Sequence, residues 1–190
     1  VREIKARGHR IFLDLKLHDI PNTVGRSMEN LAKLGVNMTN LHAGGGSGMM
    51  KAARAGLDAG ATGKEKPILI AVTMLTSISE AMMHAELLIP GKLGEVVTSY
   101  ASTAHAAGLD GVVCSPLEAG MVKEWCGQGF LTVTPGIRYP DPNGHGDQSR
   151  VTTPAEARQA SDYIVVGRPI TAAADPVEAY RKMRREFLGE

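Results

Sequence analysis

Apolar and polar positions along the chain alternate between two patterns. Short β-branched runs at Ile11–Lys16, Asn37–Ala43, Ile68–Met74, Gly111–Ser115, Leu131–Thr134 and Tyr163–Gly167 are mostly apolar on both alternating faces, as parallel strands covered by helices are. Between them, apolar residues recur three and four apart. Val24, Met28, Leu31 and Leu34 make one helical face, closed by Gly35. Leu93, Val96, Val97, Tyr100, Ala101 and Ala104 make another, closed by Gly108. Ser115-Pro116-Leu117-Glu118 and Thr153-Pro154-Ala155-Glu156 each supply an N-cap hydroxyl, a Pro at the first helical position and a Glu at the third. Asp175 caps a last helix expected to bury Val177, Tyr180, Met183 and Phe187. The opening Val1-Arg2-Glu3-Ile4 reads as the inside of a helix that stops at Gly8.

These βα units make either an open doubly wound sheet or a closed (β/α)8 barrel. A barrel uses about 250 residues and eight units, so counting leaves both open. At 190 residues the chain is expected to be one domain. Lys and Arg number 21 against 20 Asp and Glu, and a net charge of +1 argues against wrapping duplex DNA or coating an acidic membrane. Only three Phe, four Tyr and one Trp are available to stack on single-stranded bases. Two cysteines build no disulfide framework, and no apolar run approaches the ~20 residues that cross a bilayer. With no signal-like N-terminus, the expected compartment is the cytoplasm.

The segment Ile11-Phe12-Leu13-Asp14-Leu15-Lys16-Leu17-His18-Asp19-Ile20-Pro21-Asn22-Thr23 carries the chemistry. On a strand, Asp14 and Lys16 share one face and Leu13 and Leu15 the other. A carboxylate and an ammonium in an apolar strand are costly unless they pair or react, and this strand end is where α/β folds place active sites. A lone Asp-x-Lys would read as a structural ion pair; Asp19, three residues on, favours the functional reading.

Thr134-Pro135-Gly136-Ile137-Arg138 and Gly167-Arg168-Pro169-Ile170-Thr171 end two late strands. Each offers amide groups and an Arg to a phosphate, and the second leads into a helical turn at Ile170–Ala174. Gly44–Gly48 reads as a tight loop, His42 as a satisfied core histidine, and Cys114, Cys126 and the methionine pairs as packing. The scattered His9, His84, His105 and His145 suggest no metal cluster.

Asp14-Leu15-Lys16-Leu17-His18-Asp19-Ile20-Pro21-Asn22-Thr23 resembles the signature of the bacterial orotidine 5′-phosphate decarboxylases. The likeness continues through Ile70–Ser77, Gly111–Ser115, Thr134–Arg138, Gly146-Asp147-Gln148 and Val166-Gly167-Arg168-Pro169. The Asp-x-Lys-x-x-Asp core is shared with sugar-phosphate decarboxylases of the same superfamily; the Ile-Pro-Asn-Thr, Leu-Thr-Ser and Gly-Asp-Gln segments point to the pyrimidine enzyme.

The resemblance implies a TIM (β/α)8 barrel, of which this chain covers roughly strands three to eight. It also implies a homodimer with shared sites and cofactor-free, metal-free conversion of orotidine 5′-phosphate to UMP. By motif, Lys16 would give the proton, Asp14 would hold Lys16 beside the substrate carboxylate, and Asp19 and Thr23 would reach the neighbouring subunit's ribose. Thr76 would contact the pyrimidine, Gln148 would bridge base and phosphate, and Pro135, Arg138, Gly167 and Arg168 would line and hold the phosphate end. The family also carries an Asp after its first strand and a Lys after its second, for which these residues have no counterpart, so the N-terminal two βα units are expected to be missing. The alternatives are a related phosphosugar lyase and a non-catalytic UMP-binding fragment.

Overall fold

The computed structural model describes residues 1–62, 66–139 and 150–190. In chain order the elements are α1 (Arg2–Ala6), β1 (Phe12–Leu17), α2 (Pro21–Lys33), β2 (Met38–His42), α3 (Gly46–Gly60) and β3 (Ile68–Val72). There follow α4 (Glu80–Ala85), α5 (Leu93–Ala106), β4 (Gly111–Val113), α6 (Pro116–Cys126) and β5 (Leu131–Thr134), then α7 (Pro154–Ala157), β6 (Tyr163–Ile164), α8 (Arg168–Thr171) and α9 (Pro176–Leu188). All six expected strands form, four of them two or three residues shorter than their apolar runs. The fold is parallel α/β.

The chain makes two compact units, Val1–Thr73 with Ser99–Val112, and Met74–Thr98 with Val113–Glu190. In the first, β2 pairs with β3 in unbroken register from Met38↔Ile68 to His42↔Val72, and every β2 residue before His42 is buried. β1 pairs with β2 at Phe12↔Met38 and Leu13↔Thr39, then shifts, so that Leu17 meets Leu41. Expectation failed in part on β1: Asp14, Leu15 and Lys16 are exposed rather than covered on both faces.

Helices α2 and α3 touch backbone to backbone. A Cβ on Gly56 would strike the Gly25 carbonyl, and one on Gly60 the Glu29 carbonyl, so glycine is what allows this approach. Val24, Met28 and Ala32 are buried on α2, whereas Leu31 and Leu34, expected in that face, are half-buried.

In the second unit the Cys114 N–H donates to the Val133 carbonyl, and β5 pairs with β6 at Val133↔Tyr163 and Thr134↔Ile164. Both expected capping boxes form, at Ser115 with Glu118 and at Thr153 with Glu156. Asp175 caps α9 by accepting the Val177 and Glu178 N–H groups. The face expected of α9 is corrected: Met183 is buried and Phe187 half-buried, but Val177 and Tyr180 are more than half exposed. The reason is the shortness of what α9 packs against: α7 and α8 have four residues each. Tyr180 and Phe187 line an open cavity of about 520 Å³ with Tyr163, Ile164 and Ile170.

A structural charge pair built on a buried lysine lies in this unit. Buried Lys123 donates to the Gln128 and Phe130 carbonyls at 2.9 Å each and to Asp162 Oδ2 at 2.6 Å, and the same oxygen accepts the Thr132 N–H at 2.7 Å. Lys123→Met leaves Asp162 and two carbonyls without their cation and should cost about 3 kcal/mol in denaturant unfolding. Lys33→Ala, which removes an exposed pair with Glu29, should leave the denaturant midpoint almost unchanged in the same assay.

Candidate active site

At the C-terminal end of β1, Lys16 Nζ donates to Asp14 Oδ2 at 2.6 Å. The other Asp14 oxygen accepts from Asn40 Nδ2 at 2.6 Å, and Asn40 Oδ1 accepts the Lys16 N–H at 2.8 Å. Asn40 is 1% exposed on β2. The three residues thus close a ring in which each polar atom of the Asn40 amide and each Asp14 oxygen has a partner. The register shift of β1 takes the Lys16 N–H out of the regular strand ladder, and Asn40 accepts it instead.

Lys16 sits at φ +50°, in the left-handed region. For a long side chain that conformation costs on the order of 1–3 kcal/mol. The Asp14–Lys16 pair, with side chains 42% and 41% exposed, stabilises by about 0–1 kcal/mol. An ion pair that returns less than its strained backbone costs is not explained by stability.

The ring of His42, at the end of β2, lies 5.5 Å from that of His18, tilted by 37°. His42 is only half-buried, which corrects its reading as a satisfied core histidine. Burial lowers its proton affinity from the ordinary histidine value, His18 and then Lys16 lower it further, and Asp14 opposes them. His18 also lies against Gly45, so the glycine loop before α3 is a close backbone approach, as its sequence suggests. Asp19 is exposed and accepts the Ile20 N–H at 2.6 Å. Ile20, the N-cap of α2, is 65% exposed, and Thr23 is exposed one turn on.

The second unit holds the remaining candidates. Thr76 is buried after β3. Thr134 is buried, its hydroxyl donating to Ser161 Oγ at 2.8 Å. Pro135 and Arg138 are half-buried on a segment fixed by two backbone bonds: the Arg138 N–H donates to the Thr152 carbonyl, and the Thr152 N–H to that of Gly136. Gly167 caps α8, which begins at Arg168 rather than at Ile170. Pro169 has no N–H, so only Arg168 of the first two helical positions offers an amide to an anion. Gln148 lies outside the described residues.

Cys114 is buried, and burial pushes its thiol well above the usual range. Among the described residues no three His, Cys, Asp or Glu side chains converge as metal ligands. No helix there is long and apolar enough to cross a membrane. Sequence reasoning missed Asn40. Its signal was a polar residue in a buried run, two positions before His42 and so on the same strand face.

Residues 1–183 match the family model described as Orotidine 5′-phosphate decarboxylase / HUMPS family. A protein named orotidine 5′-phosphate decarboxylase from Geobacillus thermodenitrificans (strain NG80-2) is 56% identical over 187 residues, covering 97% of this chain and 78% of the relative. The crystal structure of orotidine 5′-phosphate decarboxylase from Lactobacillus acidophilus superposes with a TM-score of 0.85 at 47% identity, over 98% of this chain and 79% of that one. The enzyme of the same name from Pyrococcus horikoshii OT3, at 23% identity and a TM-score of 0.73, shares the fold over 100% of this chain and 79% of that one. With the Asp14–Lys16 pair at a strand end and the match running through both units, the chain belongs to the orotidine 5′-phosphate decarboxylase / HUMPS family.

Proposed function

We infer that this chain is a carboxy-lyase that converts orotidine 5′-phosphate to UMP and carbon dioxide in pyrimidine biosynthesis, without a cofactor. The observation that carries the reading is the Lys16 ammonium held 2.6 Å from Asp14 on a strained strand end, in a chain 56% identical to a named orotidine 5′-phosphate decarboxylase. In the reaction the bond from ring carbon C6 to the carboxylate breaks, and its electron pair stays on C6. A fixed ammonium attracts that charge as it develops, near the transition state, and then gives C6 its proton. Lys16 is assigned this role. Asp14 holds Lys16 in place and faces the departing carboxylate.

Further assignments extend the reading. Thr76 contacts the pyrimidine, Gln148 bridges base and phosphate, and Pro135, Arg138, Gly167 and Arg168 serve the phosphate. Binding energy from that remote group orients the reacting ring. The six strands stand as the third to eighth of an eight-stranded barrel of the bacterial type, forming one domain. The enzyme works in the cytoplasm as a homodimer, in which Asp19 and Thr23 serve the neighbouring subunit's ribose; their exposure beside apolar, exposed Ile20 supports this.

Lys16→Ala should lower turnover by about 10³-fold or more, followed by the absorbance change of orotidine 5′-phosphate, while calorimetry finds UMP affinity close to wild type. Turnover should persist in EDTA; loss of activity there would favour a metal-using phosphosugar lyase. Inactive Asp19→Ala and Lys16→Ala subunits, mixed and re-equilibrated, should regain activity as hybrid dimers, and no recovery would count against a shared site.

The lowered proton affinity of His42 sets a sign for pH dependence. Below its ordinary value of about 6.5 the unfolded chain binds this proton more readily than the folded one, so this contribution to stability is lost as pH falls. Thermal unfolding from about pH 7.5 to about 5.5 should show a steeper loss for wild type than for His42→Asn.

A further inference from the structure

We propose that Asn40 is a positioning residue for the decarboxylation, acting through Asp14 and Lys16 on a substrate it does not itself touch. The proposal rests on the roles given above to those two residues. Three observations carry it. Asn40 is 1% exposed on β2, whose register with β3 is unbroken, so its amide is anchored in the most regular part of the sheet. Its Nδ2 donates to Asp14 Oδ1 at 2.6 Å, leaving Oδ2 as the oxygen that takes Lys16 Nζ. Its Oδ1 accepts the Lys16 N–H at 2.8 Å, at the one residue of β1 whose backbone is left-handed.

The amide is chemically specific. Asp14 needs a donor and the Lys16 N–H needs an acceptor, and a primary amide supplies both from one short side chain. An Asp here would keep the acceptor but set a second carboxylate against Asp14. An Ala would leave a part-buried N–H without its partner and free the carboxylate to turn. In either case the ammonium loses its fixed direction, and a misplacement of about 1 Å is enough to cost about 10²-fold in rate.

Four proteins test the proposal: Asn40→Ala, the isosteric Asn40→Asp, Asp14→Ala, and the double variant of Asp14→Ala with Asn40→Ala. Both Asn40 variants should lower kcat by about 10²-fold while KM stays within about threefold of wild type. Because part of what Asn40 does passes through Asp14, the double variant should be slowed by clearly less than the product of the two single losses, where independent effects would multiply. Multiplying losses, or a kcat within about threefold of wild type for both Asn40 variants, would overturn the proposal. Should Asn40→Ala fail to fold, Asn40→Asp carries the same readings.

Crystal structures separate this proposal from the functional reading. Absence of wild-type turnover on orotidine 5′-phosphate would overturn the reading, and the assignment of Asn40 would then be decided by geometry. In the Asn40 variants Lys16 should leave its left-handed conformation, and Nζ should part from Asp14 beyond hydrogen-bonding distance. An unchanged Asp14–Lys16 geometry would overturn the positioning role whatever the activity.

Discussion

The backbone of Lys16 is the constraint around which the first unit is arranged. A left-handed lysine is disfavoured by on the order of 1–3 kcal/mol, and a half-exposed ion pair with Asp14 returns about 1 kcal/mol at most. The difference must come from parts of the fold that do not move when Lys16 relaxes. The β2–β3 ladder is one, since it runs without a shift from Met38 to His42. The glycine-to-backbone contact of α2 on α3 is another, because helices meeting at backbone distance have no flexible side chains between them to absorb a displacement. Strain at one residue is stable only when its surroundings over-determine it, and here they do so through Asn40.

Two kinds of charge pair differ in what they leave free. Lys123 is buried, satisfies two carbonyls as well as Asp162, and fixes the turn between α6 and β5. Glu118 is also buried, accepting the Ser115 N–H and pairing with Arg150, which reaches the Leu75 carbonyl at 2.7 Å. These groups spend their hydrogen-bonding capacity on the protein. The side chains of Asp14 and Lys16 are each about 40% exposed, and Lys16 keeps protons and an accessible face toward solvent. An ammonium bonded to one carboxylate oxygen and otherwise open can still give a proton to something that binds there.

Much of this was legible in the sequence, and the exceptions share a cause. The strands, the capping boxes and the Asp14–Lys16 pairing depend on short-range geometry: period two, a cap and its third residue, side chains two apart on one face. Val177 and Tyr180 were misread because periodicity gives the direction of a helix face but not the extent of its partner, and the four-residue helices α7 and α8 cover too little of α9. Leu31 and Leu34 fell outside the tightest part of α2 because glycines on α2 and α3 fix where the two helices meet. The left-handed turn at Lys16 was invisible, since lysine carries no local signal for it. Asn40 was passed over because a polar residue within Met38-Thr39-Asn40-Leu41-His42 looks incidental until β1 lies beside it. The residues proposed for the phosphate rest on motif alone; Pro135 and Arg138 sit on a segment held by two backbone bonds, and the amide count at α8 depends on where that helix starts, which sequence placed two residues too late.

Charge balance gives a reason for the neutral residues around the pair. Asp14, Lys16 and Asp19 lie on one short segment, and a substrate bringing a carboxylate adds another negative group. In that setting a further carboxylate, placed on β2, would raise the proton affinity of its neighbours, and a second cation would compete with Lys16 for Asp14. The residues that β2 presents there are an amide, which cannot ionise, and a histidine whose environment disfavours its charged form. Both supply hydrogen-bonding or packing surface without altering the net charge. The ammonium of Lys16 is then the positive charge bonded to Asp14, at 2.6 Å, and no ionised group on β2 competes with it there.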